Sequence, residues 1–160
     1  MLKKTLIAVA ALLVVITGIV AALHLKNQDK IACLVIRQEE REFSVSFEEL
    51  DQAAFSGTLI DGKGDQTHHT YTGILLGELL EKKGINLDEI SGVTVTSADQ
   101  YSATFTVQEL MEPDKVYVAI TADGETIQGI DPGNNGVQVI AFAEPNSRRC
   151  VRYAQIITIE

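Results

Sequence analysis

The sequence has no Gly-x-Gly-x-x-Gly and no Walker segment, no internal repeat and no low-complexity tract. The first two absences exclude the common phosphate-cradling loops. The last two remove the ground for a repeat-built adhesive or structural surface protein. Positive charge is scarce: 13 Lys and Arg stand against 22 Asp and Glu, a formal net charge of −9. Residues 1–30 hold Lys3, Lys4, Lys26 and Lys30 against Asp29, a net of +3, so the rest of the chain carries −12. A domain of that charge is repelled by nucleic acid and by anionic lipid, which excludes nucleic-acid binding and favours neutral or cationic partners.

One stretch lacks charge altogether. From Thr5 to Leu25 there is no Asp, Glu, Lys or Arg, and at about 1.5 Å per residue that run spans a hydrocarbon core of about 30 Å. Residues 1–30 therefore read as an N-terminal membrane anchor or signal segment, and residues 31–160 as one domain. Lys3 and Lys4 favour a cytoplasmic N-terminus with the domain outside, although Lys26 and Lys30 weaken the asymmetry. The expected localisation is the cell membrane, single-pass, with an extracytoplasmic domain. Cleavage at the small-residue site around Val20 and Ala22 would instead make the protein secreted.

Only two cysteines are present, Cys33 and Cys150, near the two ends of the domain. Paired, they would close a long loop worth about 4–5 kcal/mol in the chain-entropy account. Separate, they would behave as small buried apolar side chains.

Local patterns give the elements. Ile31 to Ile36 and the alternation at Phe43 and Val45 read as strands. Ser46 with Glu49 forms a capping box that starts a short helix. Phe55 to Ile60 and Gln66 to Tyr71 flank a Gly-rich turn over Asp61 to Gly64. The spacing of Ile74, Leu75, Leu79 and Leu80 predicts a helix closed by Gly84. Strands follow over Val93 to Val95 and Tyr101 to Thr106, with a turn at Asp99 and Gln100. Thr106 and Glu109 repeat the capping box. Further strands are expected over Val116 to Ile120, Val137 to Phe142 and Val151 to Ile159, with a hairpin turn at Asp123 and Gly124. Short helices scattered among many strands, without regular alternation, make the fold class α+β with a mainly antiparallel or mixed sheet.

The segment from Tyr71 through Gly77 to Gly84, the run Val93 to Thr106 with its Asp99-Gln100-Tyr101 turn, and the closing Ser147-Arg148-Arg149-Cys150-Val151-Arg152 stretch recur in that order in a known family. From about Phe43 to the C-terminus the chain resembles the molybdopterin-binding domain of the sulfite oxidase family. The resemblance implies a sulfite oxidase-type molybdopterin-binding fold and an oxidoreductase-like scaffold. It also implies a molybdopterin cofactor whose metal is held by a cysteine from the loop before the aromatic-Gly helix. Here the matching stretch, Phe55 to Thr70, contains no cysteine. The family's Gly-Pro-aliphatic-Arg segment is altered too, with Gly136, Val137 and Gln138 carrying no arginine.

The candidate cofactor-binding residues are His68, His69, Asp99, Tyr101, Arg148 and Arg149. Adjacent histidines on a strand point to opposite faces, whereas on a loop both can bind a metal, so no metal site is assigned to them. Asp99 and Tyr101 occupy the turn that approaches the cleft in the family, and an Asp turn before a strand aromatic also has a purely structural explanation. Arg148, Arg149 and Arg152 concentrate positive charge in an acidic domain, suited to bidentate anion binding or to internal ion pairs. No catalytic Ser-His-Asp or Cys-His arrangement follows from spacing. The expected function is a membrane-anchored, extracytoplasmic ligand- or partner-binding module with no cofactor, taking a small anionic ligand or docking on a larger membrane complex. The alternative is a molybdopterin-dependent oxidoreductase with non-cysteine ligation.

Overall fold

Alternating apolar and polar positions need a second surface to bury one side, and among the described residues ten strands supply it in two sheets. The computed structural model describes residues 33–160. The expected N-terminal anchor lies outside the described residues, and among these no helix is long and apolar enough to cross a membrane.

In the first sheet, β1 (Leu34–Gln38) pairs with β2 (Arg41–Val45) antiparallel and with β10 (Ala154–Ile159) parallel. The order continues through β5 (Gly92–Ser97) to β6 (Ser102–Thr106). The second sheet runs β3 (Ala53–Ile60), β4 (Gln66–Leu75), β7 (Val116–Ala122), β8 (Glu125–Thr126), with β9 (Gln138–Ala141) also on β7. The α+β class stands. The single sheet expected from sequence is corrected to two, of which only the first is mixed, through its β1–β10 pair.

Among the described residues, three short helices join the strands. In α1 (Phe47–Leu50) the Ser46 backbone N–H donates to Glu49 Oε2 at 2.8 Å. Glu49 also pairs with Lys83, which sits at the C-terminus of α2 (Leu76–Lys82), so the capping residue of one helix anchors the end of the next. Gly84 follows at φ 78°, the left-handed conformation that ends a helix without a Cβ penalty. In α3 (Val107–Met111) the Thr106 N–H donates to Glu109 Oε2 at 2.9 Å, and the Glu109 N–H returns to Thr106 Oγ1 at 3.4 Å.

The helix expected from Ile74 starts two residues later. Ile74 and Leu75 instead extend β4, opposite Val118 and Tyr117 of β7. A bulge at Thr72 and Gly73 precedes them, where a Cβ on Gly73 would meet the Val118 carbonyl oxygen at 2.0 Å. Only glycine lets the two backbones approach that closely.

Apolar burial divides into two clusters. The larger is aliphatic, with Leu34, Ile36, Leu76, Leu80, Phe105 and Ile157 fully enclosed, each worth about 1.5–3 kcal/mol of burial. The smaller is aromatic: Tyr71, Tyr117 and Phe142 gather with Phe55, whose ring stacks on Tyr117 at a centroid distance of 3.8 Å. Cys33 packs on the first cluster and Cys150 on the second, so both are free thiols and the disulfide option is not realised.

Candidate functional site

The turn between β5 and β6 is shaped by one buried hydroxyl. Ser97, 1% exposed, donates its hydroxyl to Asp99 Oδ1, which also accepts the Tyr101 N–H at 3.4 Å. Gln100 between them sits at φ 71°. These two hydrogen bonds, from Ser97 and then from Tyr101, hold the Asp99 carboxyl below its usual range, so it is ionised at neutral pH. Tyr101, 45% exposed, sends its hydroxyl across to the Arg148 carbonyl. That bond ties the β5–β6 turn to the 3₁₀ turn Ser147–Arg149, where the Asn146 side chain accepts the Arg148 N–H at 3.1 Å.

A cleft of about 350 Å³ opens between these two turns. Asp99, Tyr101, Ser147, Arg148, Cys150 and Arg152 line it, with Leu59 of β3 and Gln138 of β9 completing the wall. That volume sits at the lower end of the roughly 300–1,000 Å³ range of small-molecule sites. Arg148 and Arg152 are exposed, and neither has an ion-pair partner within 4.0 Å among the described residues.

Arg149 behaves differently, because successive side chains on a 3₁₀ turn diverge by about 120°. Its guanidinium turns into the protein, where Nη1 meets Glu109 Oε1 at 2.5 Å and Glu144 Oε1 at 2.9 Å. Nη2 donates to the Thr104 carbonyl at 2.5 Å and to Glu109 Oε2 at 3.0 Å. The Phe105 ring lies 4.7 Å below its central carbon. The Arg149 hydrogen bonds bring the Glu109 carboxyl down to about 2 against the residual cost of burial. Arg149 is thus a structural cation, a correction to its grouping with Arg148 as an anion ligand.

The histidines also stand outside the cleft lining. Both lie on β4, so their side chains take opposite faces. His68 Nδ1 is 3.3 Å from Thr58 Oγ1, and His69 Nδ1 is 2.7 Å from Asp123 Oδ2. His69 then Thr70, by their hydrogen bonds, lower the Asp123 carboxyl. Asp123 accepts the Thr70 N–H at 2.9 Å, so this pair braces the β7–β8 turn against β4. The structure therefore brings Asp99, Tyr101 and Arg148 together and leaves His68, His69 and Arg149 apart. Leu59 had no signal in the sequence, since its chemistry is ordinary and only the fold brings it here. Ser147 lay inside a segment that carries the resemblance and Gln138 inside one that departs from it, but neither was singled out as a site residue.

The molybdopterin implied by the resemblance can be tested against the donors present. The stretch Phe55 to Thr70 forms most of the β3–β4 hairpin and offers no thiol. Cys150 does line the cleft, but its Sγ is 3.5 Å from the Ala141 N–H and burial pushes its thiol up, so it is a protonated group bound to backbone. Molybdenum in this family takes a thiolate, and these donors do not fit it. Among the described residues no group of three or more His, Cys, Asp or Glu is arranged to hold a metal ion.

Comparison with known proteins gives a fold and nothing finer. No protein-family model matches the chain, and no curated protein matches it. Among solved structures it is similar to the sulfane dehydrogenase SoxCD from Paracoccus pantotrophus, with a TM-score of 0.59 and 18% identity over 79% of this chain. The chain corresponds to 37% of that protein's chain, so what the two share is the fold of one part of a larger molecule.

Proposed function

We propose that this chain is an anion-binding module that uses an oxidoreductase-like scaffold without its metal chemistry. One observation carries the reading: Arg148 and Arg152 line a single cleft, exposed and without ion-pair partners among the described residues, in a domain with an excess of carboxylates. An unpaired guanidinium fork beside a second one is suited to a carboxylate, sulfonate or phosphate group, which it holds through paired N–H donors. Ser147 and Gln138, which carry neutral hydrogen-bond donors, line the same cleft. The uncharged run Thr5 to Leu25 behind Lys3 and Lys4 supports a placement outside the cytoplasm, from which the module would serve a larger membrane process.

The test uses the full chain in detergent, titrated with sodium phosphate and sodium sulfate and followed by calorimetry and thermal melting. Saturable binding is expected, with a rise in melting temperature as anion concentration passes the dissociation constant. The double substitution Arg148→Ala with Arg152→Ala should abolish both effects and leave the unliganded melting temperature nearly unchanged. Binding that survives the double substitution sinks the anion-site reading. Elemental analysis of the same protein, made in a host that supplies the cofactor, separates the rival: near-equimolar molybdenum would promote the oxidoreductase and remove the binding module.

A further inference from the structure

Two charges of opposite sign face the same cleft without meeting. Asp99 uses Oδ1 to fix its own turn, while Oδ2 accepts no hydrogen bond among the described residues. It pairs with neither Arg148 nor Arg152 within 4.0 Å, although all three line one cavity of about 350 Å³. A simple anion would satisfy the guanidiniums and leave the Asp99 carboxylate of the same cleft without a cation. It would also enter against the field of a domain region whose sequence carries −12 outside residues 1–30. Tyr101, on the same turn as Asp99, lines the cleft and is 45% exposed, and an aromatic ring attracts a cation through its π face.

We infer that the ligand of this cleft is a small zwitterion, its carboxylate, sulfonate or phosphate held by Arg148 and Arg152 and its ammonium group by Asp99 and the Tyr101 ring. The inference rests on the anion-site reading and deepens it. A ligand of zero or near-zero net charge escapes the long-range repulsion and satisfies both signs at once. The cleft volume accommodates a molecule of amino-acid or phosphoamine dimensions. Leu59, on the same lining, gives a short apolar linker between the two groups a side chain to pack against.

Matched probes decide it, because each pair differs by one ammonium group: propionate with β-alanine, and ethyl phosphate with phosphoethanolamine. On the full chain the zwitterion of each pair is expected to bind at least about tenfold more tightly than its partner, the gain of one charge-assisted contact. Asp99→Asn should weaken the zwitterions by about tenfold and tighten the simple anions, reversing the order. Arg148→Ala should weaken all four probes. If the anions bind through Arg148 but the ammonium group confers no advantage, or if Asp99→Asn shifts both members of a pair alike, the zwitterion assignment is overturned and the anion site stands. If none of the four probes binds, both fall. Binding of the zwitterions that is indifferent to Arg148→Ala would place them elsewhere and overturn the assignment as well.

Discussion

Arg149 and its neighbours Arg148 and Arg152 occupy one short segment between β9 and β10, yet they live in opposite physical regimes. Arg149 makes paired contacts to Glu109, a further one to Glu144 and a carbonyl bond to Thr104, on top of the Phe105 ring. Arg148 and Arg152 line a cleft and have no ion-pair partner within 4.0 Å among the described residues. The difference teaches how a fold divides like residues between holding and binding. A guanidinium whose hydrogen bonds are already made adds to stability and has nothing to offer a ligand. One whose donors are unused contributes little to folding and keeps its capacity for recognition.

The sharpest way to break this contrast is Arg149→Ala. Glu109 and Glu144 have side-chain exposures of only 21% and 13%. Removing the cation takes the ion pair from the partly buried Glu109 and leaves the Thr104 carbonyl without its Arg149 donor, while Glu144 keeps Lys115 at 3.9 Å. The expected cost is about 2–3 kcal/mol, below the range for fully buried pairs because water reaches the network. For a domain of this size that corresponds to a fall in melting temperature of roughly 10 °C. Anion titrations on the refolded protein at low temperature should still show binding, because Arg149 is not in the cleft. A variant that melts like the parent would return Arg149 to the pool of ligand-binding groups.

Acid titration tests the same network from the carboxylate side. The Glu109 carboxyl lies at about 2 in the folded protein against an ordinary 4.5, held down chiefly by the Arg149 hydrogen bonds. A depressed folded value means that its contribution is fully present above pH 4.5 and is lost as pH falls from about 4.5 towards 2. Denaturant midpoints should therefore decline through that window, and Glu109→Gln should flatten the decline. An unchanged slope in Glu109→Gln would show that other carboxylates carry the acid sensitivity.

How much of this was legible follows the distance over which each feature is encoded. Both capping boxes could be read because Ser46 with Glu49, and Thr106 with Glu109, are three residues apart and carry their reason locally. The Asp123-Gly124 turn was readable for the same cause, with both residues at positive φ. Ile74 and Leu75 misled because their spacing suits a helix, while their actual partners, Val118 and Tyr117, lie more than forty positions away. The division into two sheets depended on such distant pairings throughout. Asp99, Tyr101 and Arg148 were singled out by resemblance and charge, and the fold places them on one cleft. Arg149 could not be told from Arg148, since the distinction lies in a capping glutamate forty residues upstream.

Intermediate in size is the effect of Tyr101→Phe, which deletes the hydroxyl that joins the two turns through the Arg148 carbonyl. The hydrogen bond is near the surface, so about 0.5–1 kcal/mol of stability is expected to go. The ring stays, and with it the cation-attracting face. Zwitterion affinity should fall only a few-fold, through looser placement of Arg148. A loss as large as that of Arg148→Ala would mean that the hydroxyl itself meets the ligand.

The smallest expected change is also the most telling for the contrast. Arg148→Ala and Arg152→Ala each remove an exposed guanidinium that has no ion-pair partner within 4.0 Å among the described residues, so stability should move by no more than about 0.5 kcal/mol. The sign can even be favourable at Arg148, where a long side chain on a 3₁₀ turn gives up rotamer freedom for little packing. Neither substitution touches the Tyr101 bond, because that bond ends on the Arg148 backbone carbonyl and survives truncation of the side chain. Chemical denaturation monitored by tyrosine fluorescence, compared with Arg149→Ala measured in the same series, gives the answer. A near-silent pair beside a costly neighbour would confirm that the segment divides its arginines between ligand and fold. Destabilisation of Arg148→Ala or Arg152→Ala by more than about 1 kcal/mol would show that these side chains are satisfied within the protein, and the cleft would then have no free cation to present.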